Sequence, residues 1–277
     1  MNAVKDPDLK LLVLVLSVVV LGGAFWFFRE DIFPPAPEPV VVQPEPAEEK
    51  EPAKKEPIHP IASPEMSMSR EGELVPLPPL DDSDSYFLLA LIDLFGSGVE
   101  PVLVREALVD KFVTTVDNLT RSHVAEKVRP VGRLSGAFTV DATADKRTFE
   151  LSNDNFARYD HLVDMATNAD IEAVVAMYRR FYPLFQESYE RLGYPDGYFN
   201  DRVVEVIDHL LATPVIEEPV RLLRPHVLYK FADPNTEALS SGQKLLIRMG
   251  NQHAESIKQL LRKLRTSVAS PSADRPD

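Results

Sequence analysis

An uninterrupted apolar run near the start of the chain constrains its organisation more than any other feature. The run begins at Leu11 and ends at Phe28, contains no charged residue, and has Ser17 as its only hydroxyl. At about 1.5 Å of rise per residue, a helix of this length spans roughly 27 Å, close to the ~30 Å hydrocarbon core of a bilayer. The sequence therefore predicts a transmembrane helix over residues 11–28, with the lipid bilayer as its partner.

A cleaved signal peptide and a buried core helix are the alternatives for this run. The apolar core of a signal peptide usually spans about 7–15 residues and ends at small residues that a peptidase recognises. Here the run ends in four bulky aromatic residues, among them Trp26, the only tryptophan of the chain. Tryptophan favours the bilayer–water interface, so we expect a retained anchor.

The flanking charges predict how this anchor is oriented. Lys5 and Lys10 precede the run, and Arg29 follows it. Because lysine and arginine are retained on the cytoplasmic side, residues 1–10 are expected to be cytoplasmic and the rest of the chain to lie outside. In a bacterium this arrangement corresponds to a single-pass inner-membrane protein with a periplasmic domain.

Proline and glutamate dominate the next part of the chain. Between Pro34 and Pro79 lie thirteen of the 24 prolines. Proline fixes φ and lacks an N–H group, so neither a helix nor a strand ladder continues through this spacing. We expect a disordered linker over residues 29–79 with polyproline II character, which serves either as a spacer or as a docking segment for a proline-recognising partner.

The composition excludes several classes of function. The absence of cysteine from all 277 residues excludes disulfides, thiolate metal sites and cysteine nucleophiles. A net charge of −13 argues against a nucleic-acid partner, whose phosphates need a basic surface. The six histidines are scattered without a close pair, so we expect neither a metal site nor a cofactor.

Helical periodicity dominates residues 80–268, which we expect to form one globular domain followed by a disordered tail over residues 269–277. The clearest helix begins after Asp170, a good N-cap, and ends before Gly193, which favours a C-terminal position. Apolar residues at alternating steps of four and three form one stripe along it. The stripe consists of Ile171, Val175, Tyr178, Tyr182, Phe185, Tyr189 and Leu192.

The remaining patterns predict shorter elements. Helices are expected over residues 86–95 and 105–119, after a cap at Asn200 or Asp201, from 233 to 250, and after a cap at Asn251. Short strands are expected over residues 138–140, 148–151 and 226–231. The predicted fold class is therefore mainly α, with at most a minor β element.

Several separated motifs of this domain resemble a known family. The motifs lie at residues 76–84, 112–119, 194–211, 228–234 and 239–244. They are similar to a family of bacterial membrane proteins known as domain of unknown function 3014. The resemblance implies a single-pass bacterial membrane protein, and it assigns no catalytic or binding residue.

The loop before the second long helix combines aromatic rings with polar groups. None of the common catalytic or phosphate-binding signatures occurs in the chain, so this loop is the first candidate for a binding site. Its aromatic rings either close the end of a helical hairpin or contact a partner or ligand. If two of its carboxylates lie ~5–9 Å apart, they instead suit glycoside hydrolysis. The candidate residues are Tyr194, Asp196, Tyr198, Asn200 and Asp201.

Two further groups of charged residues have a functional and a plain interpretation. Asp201, Glu205 and Asp208 share one helix face, with His209 beside them, which suits either a hard cation or a solvated face paired with bases such as Arg202. A basic last helix suits either anionic lipid or an acidic partner, or simply the dipole of its own C-terminus. Its bases are Lys258, Arg262, Lys263 and Arg265.

Taken together, these features predict a binding or scaffold module of the cell envelope, presented on a long tether, and not an enzyme. A tether raises the effective concentration of a domain for any partner within reach. The expected partner is another envelope protein or the cell-wall glycan. The alternative is an envelope hydrolase that acts on cell-wall glycan through Asp196 and Asp201.

Overall fold

A computed structural model describes residues 56–61, 76–132, 136–145 and 147–269, all of which belong to one compact unit over residues 54–277. Several predicted segments lie outside these ranges. They are residues 1–10, the predicted transmembrane helix (11–28), most of the predicted linker (29–79) and nearly all of the predicted tail (269–277). In the described ranges, no helix combines the length and the apolarity needed to cross a membrane.

The described chain is mainly helical, with a small antiparallel sheet inserted between helices. The helices are α1 (Asp84–Phe95), α2 (Leu108–Asn118), α3 (Asp154–Ala157), α4 (Asp160–Asn168), α5 (Ile171–Arg191), α6 (Phe199–Leu211), α7 (Pro234–Ala238), α8 (Ser241–Arg248) and α9 (Asn251–Val268). Short 3₁₀ helices cover Leu80–Asp82, Ser97–Val102 and Glu126–Val128. The strands are β1 (Val140–Ala142), β2 (Thr148–Leu151), β3 (Arg221–Leu223) and β4 (Lys230–Phe231).

Helix α5 is the centre of the helical part. Asp170 caps it as predicted, because its carboxylate accepts a hydrogen bond from the Glu172 backbone N–H at 3.0 Å. Around Phe185 the rings of Phe87, Phe112 and Phe199 lie with centroids 5.0–5.9 Å apart from it. These rings come from α1, α2 and α6, so the main core joins four helices, and such aromatic contacts stabilise it beyond simple burial.

The small sheet has a core of its own. Its strands pair antiparallel in the order β1-β2-β3-β4, with Phe149 opposite Leu222 and Leu222 opposite Phe231. Residues opposite each other share a face of the sheet, so these apolar side chains all face inward. Leu151, Leu222, Phe231 and Ile247 of α8 form a buried cluster there.

The predicted fold class, mainly α with a minor β element, is confirmed, but several element boundaries were wrong. The expected helix over 233–250 is two helices, because the first ends at Leu239 in an extended conformation and Ser240 forms a capping box with Gln243 that starts the second. The helix expected from residue 105 begins at Leu108, after Ala107 in a left-handed conformation. Asn200 does not cap α6 and neither does Asp201. Both lie in its first turn, after Tyr198 at the N-cap position.

Candidate functional site

A short segment of the predicted linker contacts the start of helix α6. The backbone N–H of Ile58 donates to Asp201 Oδ2 at 3.0 Å, and the backbone N–H of His59 donates to Asp201 Oδ1 at 2.7 Å. Both oxygens of one carboxylate therefore bind two consecutive peptide groups. Hydrogen bonds to an ionised acceptor are stronger than neutral ones, so this pair is a specific contact with backbone.

The neighbouring residue, Asn200, binds the same segment from the other side. Its amide nitrogen donates to the backbone carbonyl of His59 at 2.8 Å and to the carbonyl of Val268 at 2.9 Å. Its amide oxygen accepts from the hydroxyl of Tyr178 at 3.0 Å. The Asn200 side chain is fully buried, so each of its N–H groups depends on one of these carbonyl partners.

The environment of Asn200 keeps this arrangement fixed. Tyr178 is buried in the main core, and burial raises the pKa of its phenol well above the usual value, so the hydroxyl remains a donor. Val268 is the last residue of α9, which places the end of that helix beside the start of α6. The backbone of His59 is thus held at its N–H by Asp201 and at its C=O by Asn200.

Side chains of the docked segment, residues 56–61, alternate in exposure. Pro57, His59 and Ile61 are partly buried, and Ile61 packs against the main core. The side chains between them are exposed, with Ile58 at 77%. Proline on both sides of Ile58 and His59 restricts the backbone before binding, which lowers the entropic cost of ordering the segment.

A buried ion pair fixes the first turn of α6 against α2. The carboxylate of Asp117, almost fully buried, accepts from Arg202 Nε at 2.9 Å and from Arg121 Nη2 at 2.9 Å. Arg202 also donates to the Asp117 carbonyl at 2.6 Å and to the Thr120 hydroxyl at 2.7 Å. This network positions the backbone that carries Asn200 and Asp201.

The five predicted site residues do not converge on one pocket. Tyr194 stacks on Tyr189 with centroids 4.5 Å apart, and its hydroxyl accepts from Arg121 Nη2 at 3.0 Å, so it closes the end of the α5–α6 hairpin. Asp196 is exposed at the turn, and Tyr198 is partly buried at the start of α6. Asn200 and Asp201 alone among the five have hydrogen bonds to the docked segment.

Sequence analysis missed the residues that complete this site. His59 and Ile61 lie in a linker whose proline content indicated disorder. The signal that could have revealed them is that Ile58 and Ile61, each preceded by a proline, are apolar residues in a polar region. Gln186 of α5 also escaped notice. Its amide holds the loop by accepting from the Phe199 N–H at 2.8 Å and donating to the Gly197 carbonyl at 2.7 Å.

The acidic face of α6 has partners of its own. Glu205 pairs with Arg202 at 2.8 Å, and Asp208 pairs with Arg265 of α9, whose Nη2 lies 2.9 Å from Asp208 Oδ2. His209 Nε2 lies 2.8 Å from the Ser240 hydroxyl. Across the described part of the chain, no group of three or more His, Asp or Glu side chains is arranged to hold a metal ion.

The basic last helix is partly engaged within the domain. Lys258 is buried, and its ammonium donates to the Thr213 carbonyl at 2.5 Å. Arg262 pairs with Glu255 at 2.9 Å, and Arg265 pairs with Asp208. Of the four predicted bases, three thus bind groups of the same domain.

The fold and this site define a class: a mainly helical domain in which residues 56–61 of the same chain contact the start of a helix. The chain belongs to the family described as protein of unknown function (DUF3014), whose sequence pattern matches residues 108–265, more than half of the chain. That match includes Asn200 and Asp201 and does not extend to the docked segment. Neither the curated proteins nor the solved structures include a significant match.

Proposed function

We propose that this protein is a membrane-tethered binding module of the bacterial cell envelope, whose site at the start of α6 binds a peptide segment. The observation that carries the proposal is the double contact with the His59 backbone, its N–H bound by Asp201 and its C=O bound by Asn200. In this structure the linker of the same chain occupies the site.

The chemistry of the site supports a peptide as the ligand. Two acceptor oxygens of Asp201 match two consecutive N–H groups, and a donor of Asn200 matches the carbonyl that follows. These contacts involve backbone atoms, so a different polypeptide with the same placement makes them equally well. An unpaired N–H on the buried Asn200 costs about 1–3 kcal/mol, so the site favours an occupant.

The linker segment and an external partner then compete for one site. Because the segment is tethered to the domain, its effective concentration is on the order of millimolar. An external envelope protein displaces it by binding more tightly or by presenting several copies of the motif. Residues 56–61 in this view keep the site closed until such a partner is present.

The hydrolase alternative is less well supported by the geometry. Hydrolysis needs two carboxyl groups free to act on a sugar, one as the acid and one as the base or nucleophile. Both oxygens of Asp201 accept hydrogen bonds from the docked segment, while Asp196 lies exposed at the turn. Loss of cell-wall turnover in Asp196→Asn and Asp201→Asn variants would nevertheless favour the hydrolase.

A labelled peptide tests the binding proposal directly. In the full chain, residues 56–61 are deleted to empty the site, and a fluorescent peptide of residues 54–63 is added. We expect saturable binding by anisotropy to this variant and at least ~10-fold weaker binding to the unmodified chain, whose own segment competes.

Matched variants make this test specific. Adding Asp201→Ala to the emptied chain removes both acceptors and is expected to weaken binding about 10-fold. Asp196→Ala alters an exposed carboxylate of the preceding loop and is expected to leave binding unchanged. Failure of the emptied chain to bind the peptide contradicts the proposal.

The membrane tether is tested separately by reporter fusions. Alkaline phosphatase fused after residue 80 is expected to be active, because residues after the predicted anchor would lie in the periplasm. An inactive phosphatase fusion together with a fluorescent cytoplasmic-type reporter at the same position would reverse the topology.

A further inference from the structure

The loop between β3 and β4 exposes apolar side chains without a partner in the domain. All residues from Leu223 to Leu228 are exposed, and we refer to this loop as the hairpin tip. Val227 is 76% exposed and Leu228 is 75% exposed, with Leu223 at 39%. Exposed aliphatic residues scattered singly are ordinary, but two adjacent ones at the end of a hairpin form a projecting apolar point.

The hairpin tip is supported by the residues at its base. The ring of Tyr229 packs against Phe138 and Phe149 with centroids 5.6 Å and 5.2 Å away. The guanidinium of Arg224 lies 5.3 Å from the centre of the Tyr229 ring, and its Nε donates to the Val227 carbonyl at 3.3 Å. These contacts hold Val227 and Leu228 outward.

Basic residues accompany this apolar point. Residues 219–232 contain Arg221, Arg224 and Lys230, and acidic residues lie only at the borders of this stretch, at Glu218 and Asp233, and across the sheet. Leu223 lies opposite Lys230 in the sheet register, so both are on the outer face, while Leu222 and Phe231 face the core. On the same outer face Glu150 lies between Arg221 and Asp141, away from the loop, which leaves Arg224 and Lys230 as the charged residues nearest to the tip.

We propose that the hairpin tip binds an anionic lipid surface, with Val227 and Leu228 entering the boundary between headgroups and acyl chains. Apolar side chains flanked by arginine and lysine are the usual composition of segments that lie in this interface. Tyr229 adds an aromatic ring with a polar hydroxyl, which also suits the interface.

A protein partner fits this surface less well than lipid does. Stable protein interfaces bury about 800 Å² on each partner, with a flat or complementary core of many side chains. Here two side chains project from a narrow hairpin, a shape that suits insertion between lipids. The inference does not need the peptide site, although the predicted anchor would keep the domain within reach of a bilayer.

A single fluorescent probe tests the proposal in the full chain. Because the chain contains no cysteine, Val227→Cys provides one labelling site for the polarity-sensitive dye NBD. Val215→Cys is the matched control, since Val215 is also 76% exposed and lies outside the hairpin. Both labelled chains are studied with vesicles of phosphatidylglycerol and phosphatidylcholine, and with vesicles of phosphatidylcholine alone.

We expect a blue shift and at least ~2-fold brighter emission at position 227 with phosphatidylglycerol present, quenched by acyl-brominated lipid, and no change at position 215. Adding Arg224→Gln and Lys230→Gln to the Val227→Cys chain is expected to remove the shift while the circular dichroism stays the same. High salt is expected to weaken it as well.

Three outcomes overturn the proposal. The first is an equal response at positions 215 and 227, and the second is an equal response in vesicles without phosphatidylglycerol. The third is a shift at position 227 that rises with protein concentration and needs no vesicles, which would assign the hairpin tip to contact with a second copy of the chain or another protein.

Discussion

The start of helix α6 and the β3–β4 hairpin tip depart from the usual pattern of burial in opposite ways. At α6 a polar amide, Asn200, is fully buried and is satisfied by a segment of the linker. At the hairpin tip Val227 and Leu228 are apolar and exposed. The comparison shows that the first surface already has its partner inside the chain, whereas the second has a composition that favours a partner outside it.

The two regions should also differ in their contribution to stability. Residues at α6 connect several helices to the docked segment, so their replacement affects the folded domain. The side chains of Val227 and Leu228 at the hairpin tip are exposed, so we expect their replacement to affect the proposed lipid binding and not the stability of the fold. The following variants test this contrast in order of decreasing effect.

The largest effect is expected for Asn200→Ala. The substitution removes a buried amide and leaves the Tyr178 hydroxyl and two backbone carbonyls without their donor or acceptor, which we expect to cost about 2–4 kcal/mol of unfolding free energy. Urea unfolding of the full chain in detergent measures it. Asn235→Ala, at an exposed asparagine, serves as the control, and a cost below about 1 kcal/mol at Asn200 would contradict the buried network.

Asp201→Ala is expected to release the docked segment with a smaller cost to the domain. Losing two charge-assisted hydrogen bonds is expected to cost about 1–2 kcal/mol, which raises the exchange rate of the Ile58 and His59 amides roughly 10-fold. Hydrogen exchange read by mass spectrometry checks this at residues 56–61. Unchanged exchange in the variant, or an equal increase in Asp196→Ala, would show that Asp201 does not hold residues 56–61 in place.

A still smaller, pH-dependent effect is expected from Asp208. Its hydrogen bond with Arg265 lowers the pKa of the carboxyl below its usual value, with a further contribution from nearby His59. Because the folded pKa is lowered, the stabilisation is fully present above about pH 4 and is lost as the pH falls through the folded pKa.

We expect the unfolding free energy of the wild type to exceed that of Asp208→Asn by less than about 1 kcal/mol at pH 6, because both partners are nearly half exposed, and by a smaller amount at pH 2. Unfolding curves at the two pH values give the difference. A difference that persists unchanged at pH 2 would rule out titration of this carboxyl as its cause.

The smallest effect on stability is expected for Val227→Ser. Its side chain is 76% exposed, so the unfolding free energy should change by no more than about 0.5 kcal/mol. Vesicle binding by the tip, however, is expected to weaken. A clear loss of stability in this variant would mean that the hairpin tip packs within the folded protein, and the contrast with α6 would fail.

Helices and strands were predictable from the sequence where residues close together in the chain specify them. The apolar stripe and the cap at Asp170 located α5, since each depends on residues within one or two helical turns. Asp233 before Pro234 likewise marked the start of α7. The segment over 148–151 was recognised as a strand from its own pattern and is β2.

Elements that rely on distant partners were not predictable in this way. Strand β3 has three residues and is stabilised by pairing with β2, more than 70 positions earlier. Helices α3 and α4 were not recognised at all. The basic pattern of α9 did not reveal that Lys258 is buried against the Thr213 carbonyl.

The sequence by itself determined a mainly helical domain, the absence of cysteine chemistry, and a loop at residues 194–201 with aromatic and acidic side chains. Only the tertiary structure decided that two of these residues bind the linker and that the others shape or border the turn. The physical reason is distance along the chain. Periodicity and capping act over a few residues, whereas the contacts of His59 with Asn200 and Asp201 join positions 141 and 142 apart.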